Sequence, residues 1–87
     1  MKFTIAHLKK ADSKWFANGG RLVVTDDELI VKYFFKEIGR FSRGSAKVEK
    51  IRPAFGYQGV KISDNTAALE LYFFPKTADS VYALFNL

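Results

Sequence analysis

The chain has 87 residues, of which 48% are hydrophobic, including nine Phe, four Tyr and one Trp. This length predicts one domain over residues 1–87 that buries roughly 60 to 65% of its unfolded surface, and the aromatic content argues against a disordered tail. The lack of Cys excludes a disulfide framework and thiolate metal ligation. No apolar run reaches the length of a signal sequence or the roughly 20 residues of a membrane span, so we expect a cytoplasmic protein.

The net charge of +5 is concentrated in the middle of the chain. Residues 32–52 carry seven basic and two acidic side chains, residues 1–31 carry five and four, and residues 53–87 carry two and three. The seven bases are Lys32, Lys36, Arg40, Arg43, Lys47, Lys50 and Arg52. Such a block can attract an anionic partner, although a charged run is more often only a solvated surface.

The first predicted element lies in the N-terminal segment KFTIAHL. This segment is compatible with a strand that turns Phe3, Ile5 and His7 inward, or with a short helix that ends at Lys10, and we favour the strand. The following segment, KWFANGG, contains two aromatic residues that either join the core or lie on the surface. Its NGG is typical of a boundary between two secondary-structure elements.

Two strands joined by a turn are predicted for GGRLVVTDDELIVKYFF, from Gly19 to Phe35. Asp26 and Asp27 are good turn formers, and no further acids follow at the spacing of a calcium loop, so TDDE is interpreted as a connection and not as a metal site. In ELIVKYFF one face carries no charge, and we expect it to be core. Its members are Leu29, Val31, Tyr33 and Phe35.

The C-terminal half predicts a hairpin and a helix. GVKIS and ALELYFF both alternate with period two, and SDNT between them favours a turn. The helix is predicted to start between Pro75 and Asp79, because apolar residues recur there at i, i+3, i+4 and i+7. Its apolar stripe consists of Ala78, Val81, Tyr82 and Phe85. We expect one shared core that contains Leu29, Val31, Leu69, Leu71, Phe73, Val81 and Phe85.

The order of these segments resembles that of GRAM domains and bacterial pleckstrin-homology-like domains. GGRLVVTDDELIVKY is similar to the Gly-rich strand, Thr-Asp turn and apolar strand that open such domains. AKVEKIRP, GVKIS, LELYFF and TADSVYALF are similar to the later strands and the closing helix. The segment before Gly19 and the segment KEIGRFSRG have no strict counterpart in that pattern.

The resemblance implies a mainly β fold, a PH-like barrel of about seven antiparallel strands in two orthogonal sheets, capped by one C-terminal α-helix. It also implies a binding module and not a catalyst. The residues agree, because His7 is the single His and no phosphate-binding loop of the P-loop type is present. We therefore predict no catalytic residues, no metal site, no cofactor and no small-molecule substrate.

Three binding hypotheses follow. The first is protein association or self-assembly, with Trp15, Phe16 and Tyr57 as anchors. The second is the binding of anionic lipid headgroups by the basic block, which would place the protein at the membrane periphery. Its principal contacts would be Lys36, Arg40 and Arg43 on the loop FFKEIGRFSRG, where Phe residues alternate with the bases. Those Phe residues are equally compatible with core positions. The third, single-stranded nucleic-acid binding by stacking and phosphate contact, is the least favoured.

Overall fold

The computed structural model describes residues 1–10 and 14–87 of the chain. Seven strands and one helix follow each other in the order β1 (Lys2–Lys10), β2 (Trp15–Val24), β3 (Glu28–Tyr33), β4 (Lys36–Ser42), β5 (Lys47–Ala54), β6 (Tyr57–Ser63), β7 (Ala68–Phe73) and α1 (Pro75–Phe85). All neighbouring strands are antiparallel, in the order β4-β3-β2-β1-β7-β6-β5. The predicted seven strands, the closing helix and its start are confirmed.

The strands form one hydrogen-bonded sheet, which is not closed between β4 and β5 in the described residues. The sheet is nevertheless strongly curved. A Cβ atom placed on Gly39 of β4 would lie only 2.7 Å from Cδ1 of Leu69 on β7, although three strands separate β4 from β7 in the sheet. The curvature therefore brings the inner faces of distant strands together around one core.

The core contains the apolar faces of most strands and of the helix. Its buried members are Ile5, Leu8, Leu22, Val24, Leu29, Val31, Phe41, Val60, Ile62, Leu69, Leu71, Phe73, Ala78, Val81 and Tyr82. Six of the seven residues expected to share a core are fully buried in it, and Phe85 packs against it while only partly buried. The helix packs on β1, β6 and β7, and the Tyr82 hydroxyl donates a hydrogen bond to the Gly59 carbonyl oxygen at 3.3 Å. No helix in the described ranges is long and apolar enough to cross a bilayer.

The N-terminal segment is a strand, as predicted, but the expected inward position of His7 is wrong. The pairing of β1 with β2 shifts between Ile5 and His7, where two residues of β2, Asn18 and Gly19, lie opposite one residue of β1. Such a bulge changes which side chains face the core. Ile5 and Leu8 are consequently buried, while His7 lies on the outer face of the sheet opposite Tyr72. NGG is thus a bulge within β2 and not a break between elements.

Two predictions about the segment after β3 are also wrong. Phe35 was expected on the core face but is fully exposed, because β3 ends at Tyr33 and Phe35 belongs to a tight turn. The segment KEIGRFS, expected to be part of a loop, forms β4 and pairs with β3 along its length. Of the Phe residues in this region, Phe41 is buried in the core, whereas Phe34 and Phe35 are on the surface.

Candidate functional site

The seven bases of residues 32–52 are distributed over three strands and one connection. Lys32 lies on β3, Lys36 and Arg40 lie on β4, and Arg43 lies in the β4–β5 connection. Lys47, Lys50 and Arg52 lie on β5, which is at the opposite edge of the strand order from β4. The block that is continuous in sequence is therefore divided between the two edges.

Arg40 is held by two carboxylates of its own chain. Its guanidinium forms ion pairs with Glu28 and with Glu37, the latter at 2.9 Å. The hydrogen bonds that Arg40 donates to Glu37 and then to Glu28 raise the pKa of Arg40 above its ordinary value, and those to Glu37 lower the pKa of Glu37. These contacts make Arg40 part of an internal charge network on the outer face of β3 and β4.

Other bases of the block also have internal contacts. Arg43 donates a hydrogen bond to the Thr25 carbonyl oxygen at 2.9 Å, and its guanidinium carbon lies 5.8 Å from the ring centroid of Phe85. Lys47 pairs with Glu49 at 3.0 Å, and the Lys50 ammonium lies 4.6 Å from the ring centroid of Tyr82. Arg40 and Arg43, expected as principal lipid contacts, thus both have polar partners within the chain.

The TDDE segment forms the connection between β2 and β3. The Thr25 hydroxyl accepts hydrogen bonds from the backbone N–H groups of Asp27, at 3.3 Å, and Glu28, at 2.9 Å, while both Asp side chains are exposed. Thr25, not either Asp, is the side chain that organises this turn. Within residues 1–10 and 14–87, no three His, Cys, Asp or Glu side chains come together as a possible metal site.

A continuous cluster of rings lies on the outer face of the sheet. It comprises His7, Trp15, Phe55, Tyr57, Tyr72 and Phe74, and we call it the outer aromatic cluster. Neighbouring ring centroids are separated by 5.0 Å for His7 and Tyr57, 5.1 Å for Tyr57 and Phe74, 5.3 Å for His7 and Phe55, 5.4 Å for Trp15 and Phe55, and 5.6 Å for Trp15 and Tyr72. These distances are typical of interacting aromatic pairs.

Strand register brings the rings together. A cross-strand row runs Ala17, His7, Tyr72, Gly59, Ile51 from β2 to β5. Gly59 has no side chain, which leaves room for the Tyr72 ring above it. Phe55 lies in the tight β5–β6 turn, where Phe55 and Gly56 both have positive φ values, 55° and 81°. Positive φ at both central positions is typical of a type I′ turn, which usually carries Asn-Gly.

Half of this cluster is open to solvent. Trp15 is 45% exposed, Phe55 71% and Phe74 49%, whereas Tyr72 is buried beneath them. The Tyr72 hydroxyl donates a hydrogen bond to the Glu70 carboxylate at 2.8 Å. Burial, followed by the hydrogen bond and charge of Glu70, raises the pKa of Tyr72 to about 12.

A row of alternating charges runs beside the cluster on the same face. From β1 to β5 its cross-strand neighbours are Lys9, Glu70, Lys61 and Glu49, and we call it the charge ladder. Trp15 pairs with Lys9 at the β2 end of this row, and the Lys9 ammonium lies 5.4 Å from the Trp15 ring centroid. Opposite charges placed directly across neighbouring strands stabilise a sheet, and these four charges sum to zero.

A second apolar surface lies at the turn between β3 and β4. Phe34 and Phe35 form this turn, and Phe34 has a φ of 55°. The Phe34 ring covers Gly19, where a Cβ would lie 2.7 Å from Cζ of the ring. Phe16, expected beside Trp15 as an anchor, instead packs toward this end, with its ring 4.9 Å from that of Tyr33. A shallow cavity of about 450 Å³ is lined here by Gly19, Arg21, Lys32, Phe34 and Phe35.

The structure therefore brings together two of the three predicted anchors, Trp15 and Tyr57, and separates Phe16 from them. Sequence reasoning missed Phe55 and Phe74 as surface residues. A signal was present for Phe55, because a bulky residue stands before Gly56 in a turn where Asn is usual. No such signal was present at Phe34 and Phe35, because their tight turn contains no Gly, Asn or Asp.

Comparison with known proteins gives no family assignment. No protein-family model, curated protein or solved structure matches this chain.

Proposed function

We propose that this protein is a non-catalytic interaction module of the GRAM or PH-like type that associates with a second copy of itself through the outer aromatic cluster. The observation that carries the proposal is the cluster itself, a connected set of six rings of which Trp15, Phe55 and Phe74 face solvent. Contiguous exposed apolar surface marks interaction sites, and Trp and Tyr are enriched among residues that dominate binding energy.

The positions of the exposed rings favour binding over structural roles. Phe55 adopts a left-handed backbone conformation that costs a non-Gly residue roughly 1 to 3 kcal/mol. An Asn at this position would satisfy the turn at lower cost. A bulky ring in this strained and exposed position is explained when the ring contributes to an interface.

The charge ladder favours a second copy as the occupant. Under a two-fold rotation about an axis that lies in the interface plane and runs parallel to the strands, the two outer faces meet and the order Lys9, Glu70, Lys61, Glu49 is reversed. Lys9 then faces Glu49 of the copy, and Glu70 faces Lys61. Such a row is complementary to itself, as a two-fold interface requires. The ladder is also neutral within a chain of net charge +5, which limits the repulsion between two copies at this face.

The finer description of the fold belongs to this proposal. We propose that the curved sheet is a barrel of the PH type, with β1–β4 and β5–β7 as two orthogonal layers and α1 at one end. The close approach of Gly39 on β4 to Leu69 on β7 supports such a layering, as does the single core that both halves share. The order of seven antiparallel strands and one C-terminal helix agrees with the resemblance found in the sequence.

A non-catalytic role is supported by the ion pairs and hydrogen bonds that hold several of the Asp and Glu side chains. Glu28 and Glu37 are paired with Arg40, and Glu49 is paired with Lys47. Asp64 accepts hydrogen bonds from the backbone N–H groups of Thr66 and Ala67, which together with the Thr66 hydroxyl lower its pKa. Carboxylates that are held in ion pairs or by backbone hydrogen bonds are unsuited to general acid catalysis at neutral pH.

Sedimentation equilibrium of the purified chain tests the proposal. We expect a monomer–dimer equilibrium that Phe55→Asn weakens at least ten-fold, because Asn retains the turn but removes an exposed anchor. The matched control is the double variant Phe34→Gly with Phe35→Ser, which removes two exposed rings that lie outside the outer aromatic cluster and should leave dimerisation unchanged. A chain that stays monomeric at millimolar concentration would contradict self-association.

Charge exchange tests the orientation of the two copies. Lys9→Glu should weaken the dimer, and adding Glu49→Lys to it should restore association, because the two positions face each other across the proposed two-fold axis. Within one chain these positions are three strands apart, about 14 Å, so direct contact cannot account for the rescue. A double variant no stronger than Lys9→Glu alone would show that this pairing is wrong.

A further inference from the structure

We propose that the β3–β4 turn docks on an anionic lipid bilayer, with Phe34 and Phe35 at the interface and Arg21, Lys32 and Lys36 on the lipid phosphates. This surface is separate from the outer aromatic cluster and goes beyond self-association. We call it the β3–β4 tip.

The apolar part of the tip is its two Phe rings. Phe35 is fully exposed and Phe34 is 64% exposed, although both occupy a two-residue turn between Tyr33 and Lys36. Turn positions with positive φ normally carry Gly or Asn, and Phe34 adopts a φ of 55°. Packing of the Phe34 ring over Gly19 and against Tyr33, with centroids 4.7 Å apart, fixes its direction. The tip is therefore a preformed apolar projection and not a disordered loop.

The bases beside the tip have unusual electrostatics. Arg21 and Lys32 are direct cross-strand neighbours on β2 and β3, and like charges in this arrangement are destabilising. Neither forms a side-chain hydrogen bond or ion pair within 1–10 and 14–87, in contrast to Arg40. Lys36 follows Phe35 directly and is exposed. An anion bound between Arg21 and Lys32 would relieve their repulsion.

The apolar and basic parts of the β3–β4 tip together indicate an anionic bilayer as its partner. The cavity of about 450 Å³ is lined by the two bases, the two Phe residues and Gly19, so no acidic side chain contributes to its wall. Glu37 on β4 is the direct cross-strand partner of Lys32, but it does not line the cavity and is held by Arg40. Bases attract an anionic membrane surface, and aromatic rings favour its interfacial region. An exposed apolar projection surrounded by cations matches a bilayer that presents phosphates above an apolar interior.

Vesicle cosedimentation at 0.1 M salt tests the docking. The probes are vesicles of phosphatidylcholine alone and vesicles that also contain phosphatidylserine. We expect binding only to the second kind, and we expect it to weaken steeply with added salt, because exposed charges are screened. Phe34→Gly with Phe35→Ser should reduce binding at least ten-fold, and so should Arg21→Gln with Lys32→Gln.

The control for the charge change is Arg52→Gln with Lys76→Gln. It removes the same two positive charges from exposed positions on β5 and α1, away from the tip, and should change vesicle affinity less than two-fold. Equal losses of vesicle affinity in the two charge variants would overturn the proposal, because they would show that binding depends on net charge and not on the bases of the tip. Absence of binding to phosphatidylserine vesicles would overturn it as well.

A fluorescence experiment locates the contact. Trp15 is the single Trp of the chain and lies in the outer aromatic cluster. Brominated lipids should therefore quench Trp emission in the double variant Trp15→Phe with Phe35→Trp, and should leave the emission of the wild type nearly unchanged. Quenching of Trp15 but not of a Trp at position 35 would place the membrane contact on the other surface and contradict the proposal. Dimerisation has its own readout in sedimentation, so failure of either proposal is recognised separately.

Discussion

Gly59 on β6 lies directly beneath the ring of Tyr72 on β7. A Cβ atom at Gly59 would be 2.9 Å from Cε1 of Tyr72 and 2.7 Å from Cγ1 of Ile51. It would also lie 3.1 Å from the Arg52 carbonyl oxygen, so the backbone of β5 limits any relaxation. We expect Gly59→Ala to lower the free energy of unfolding by about 1 to 3 kcal/mol, which is typical of overpacking.

Urea denaturation followed by Trp15 emission measures this change. Gly44→Ala is the matched control, because a Cβ at Gly44 meets no atom within 4 Å. The same substitution should therefore leave the denaturation midpoint nearly unchanged at Gly44 and lower it at Gly59. Equal midpoints for the two variants would show that the Tyr72 ring does not occupy this position.

Tyr72 should make stability depend on alkaline pH. Its pKa is raised to about 12 in the folded chain, whereas an unfolded Tyr loses its proton near pH 10. Between these values the unfolded chain binds fewer protons, so rising pH favours unfolding. The contribution of Tyr72 is fully present below about pH 10 and is lost as pH rises through about 12.

The variant Tyr72→Phe cannot ionise at this position, so its stability should fall less steeply above pH 10 than that of the wild type. Near pH 7 it should be less stable by about 1 kcal/mol, because the hydrogen bond to Glu70 is lost. Glu70→Gln should show an intermediate alkaline slope, since it removes the charge but leaves the burial of Tyr72. Parallel pH profiles for wild type and Tyr72→Phe would contradict the raised pKa.

Periodicity was sufficient to predict most elements of the fold. Alternation in β6, β7 and most of β3, and the i, i+3, i+4 spacing of α1, depend on local contacts with one common core. The end of β3 was not predictable in this way. Alternation continues through Phe35, and neither Phe34 nor Phe35 is a usual turn residue, so nothing in the local pattern marks the turn.

The candidate surfaces were only partly predictable because they depend on strand register. Trp15 and Tyr57 come together through the pairing of β2, β1, β7 and β6, and the shift at the β1–β2 bulge also sets the outward position of His7. Such a register depends on pairing between strands that are distant in sequence, so local patterns do not predict it. Likewise, the basic block was visible as composition. Its contacts with Glu28 on β3, Thr25 in the β2–β3 turn and Phe85 on α1 depend on the tertiary fold, so the internal contacts of Arg40 and Arg43 were hidden.

The inner face of β7 should be essential for stability. Leu71 and Phe73 are completely buried in the core, so their truncation to Ala leaves a cavity as well as losing apolar contact. We expect each variant to lose roughly 2 to 5 kcal/mol, a large part of the stability of a small domain. Chemical denaturation measures the loss, and a value below about 1 kcal/mol would show that this face is assigned wrongly.

The β2–β3 turn should depend on Thr25 more than on the two acids that follow it. Thr25→Ala removes the acceptor for two backbone N–H groups and should lower stability by about 0.5 to 1.5 kcal/mol. Asp26→Asn with Asp27→Asn should leave the denaturation midpoint unchanged, because both side chains are exposed and Asn suits the same turn. A calcium-dependent rise in melting temperature that disappears in the double Asn variant would identify TDDE as a metal site instead.

Arg40 should act on the fold and not on membranes. Arg40→Glu places a third carboxylate beside Glu28 and Glu37, so we expect a lower thermal midpoint that added salt partly restores. Arg40→Gln removes the positive charge without adding repulsion, and should leave affinity for phosphatidylserine vesicles within two-fold of wild type. The comparison separates the two roles, because lipid binding by Arg40 would make the Gln variant bind much more weakly at an unchanged melting temperature. That outcome would return the basic surface of β4 to consideration as the membrane contact.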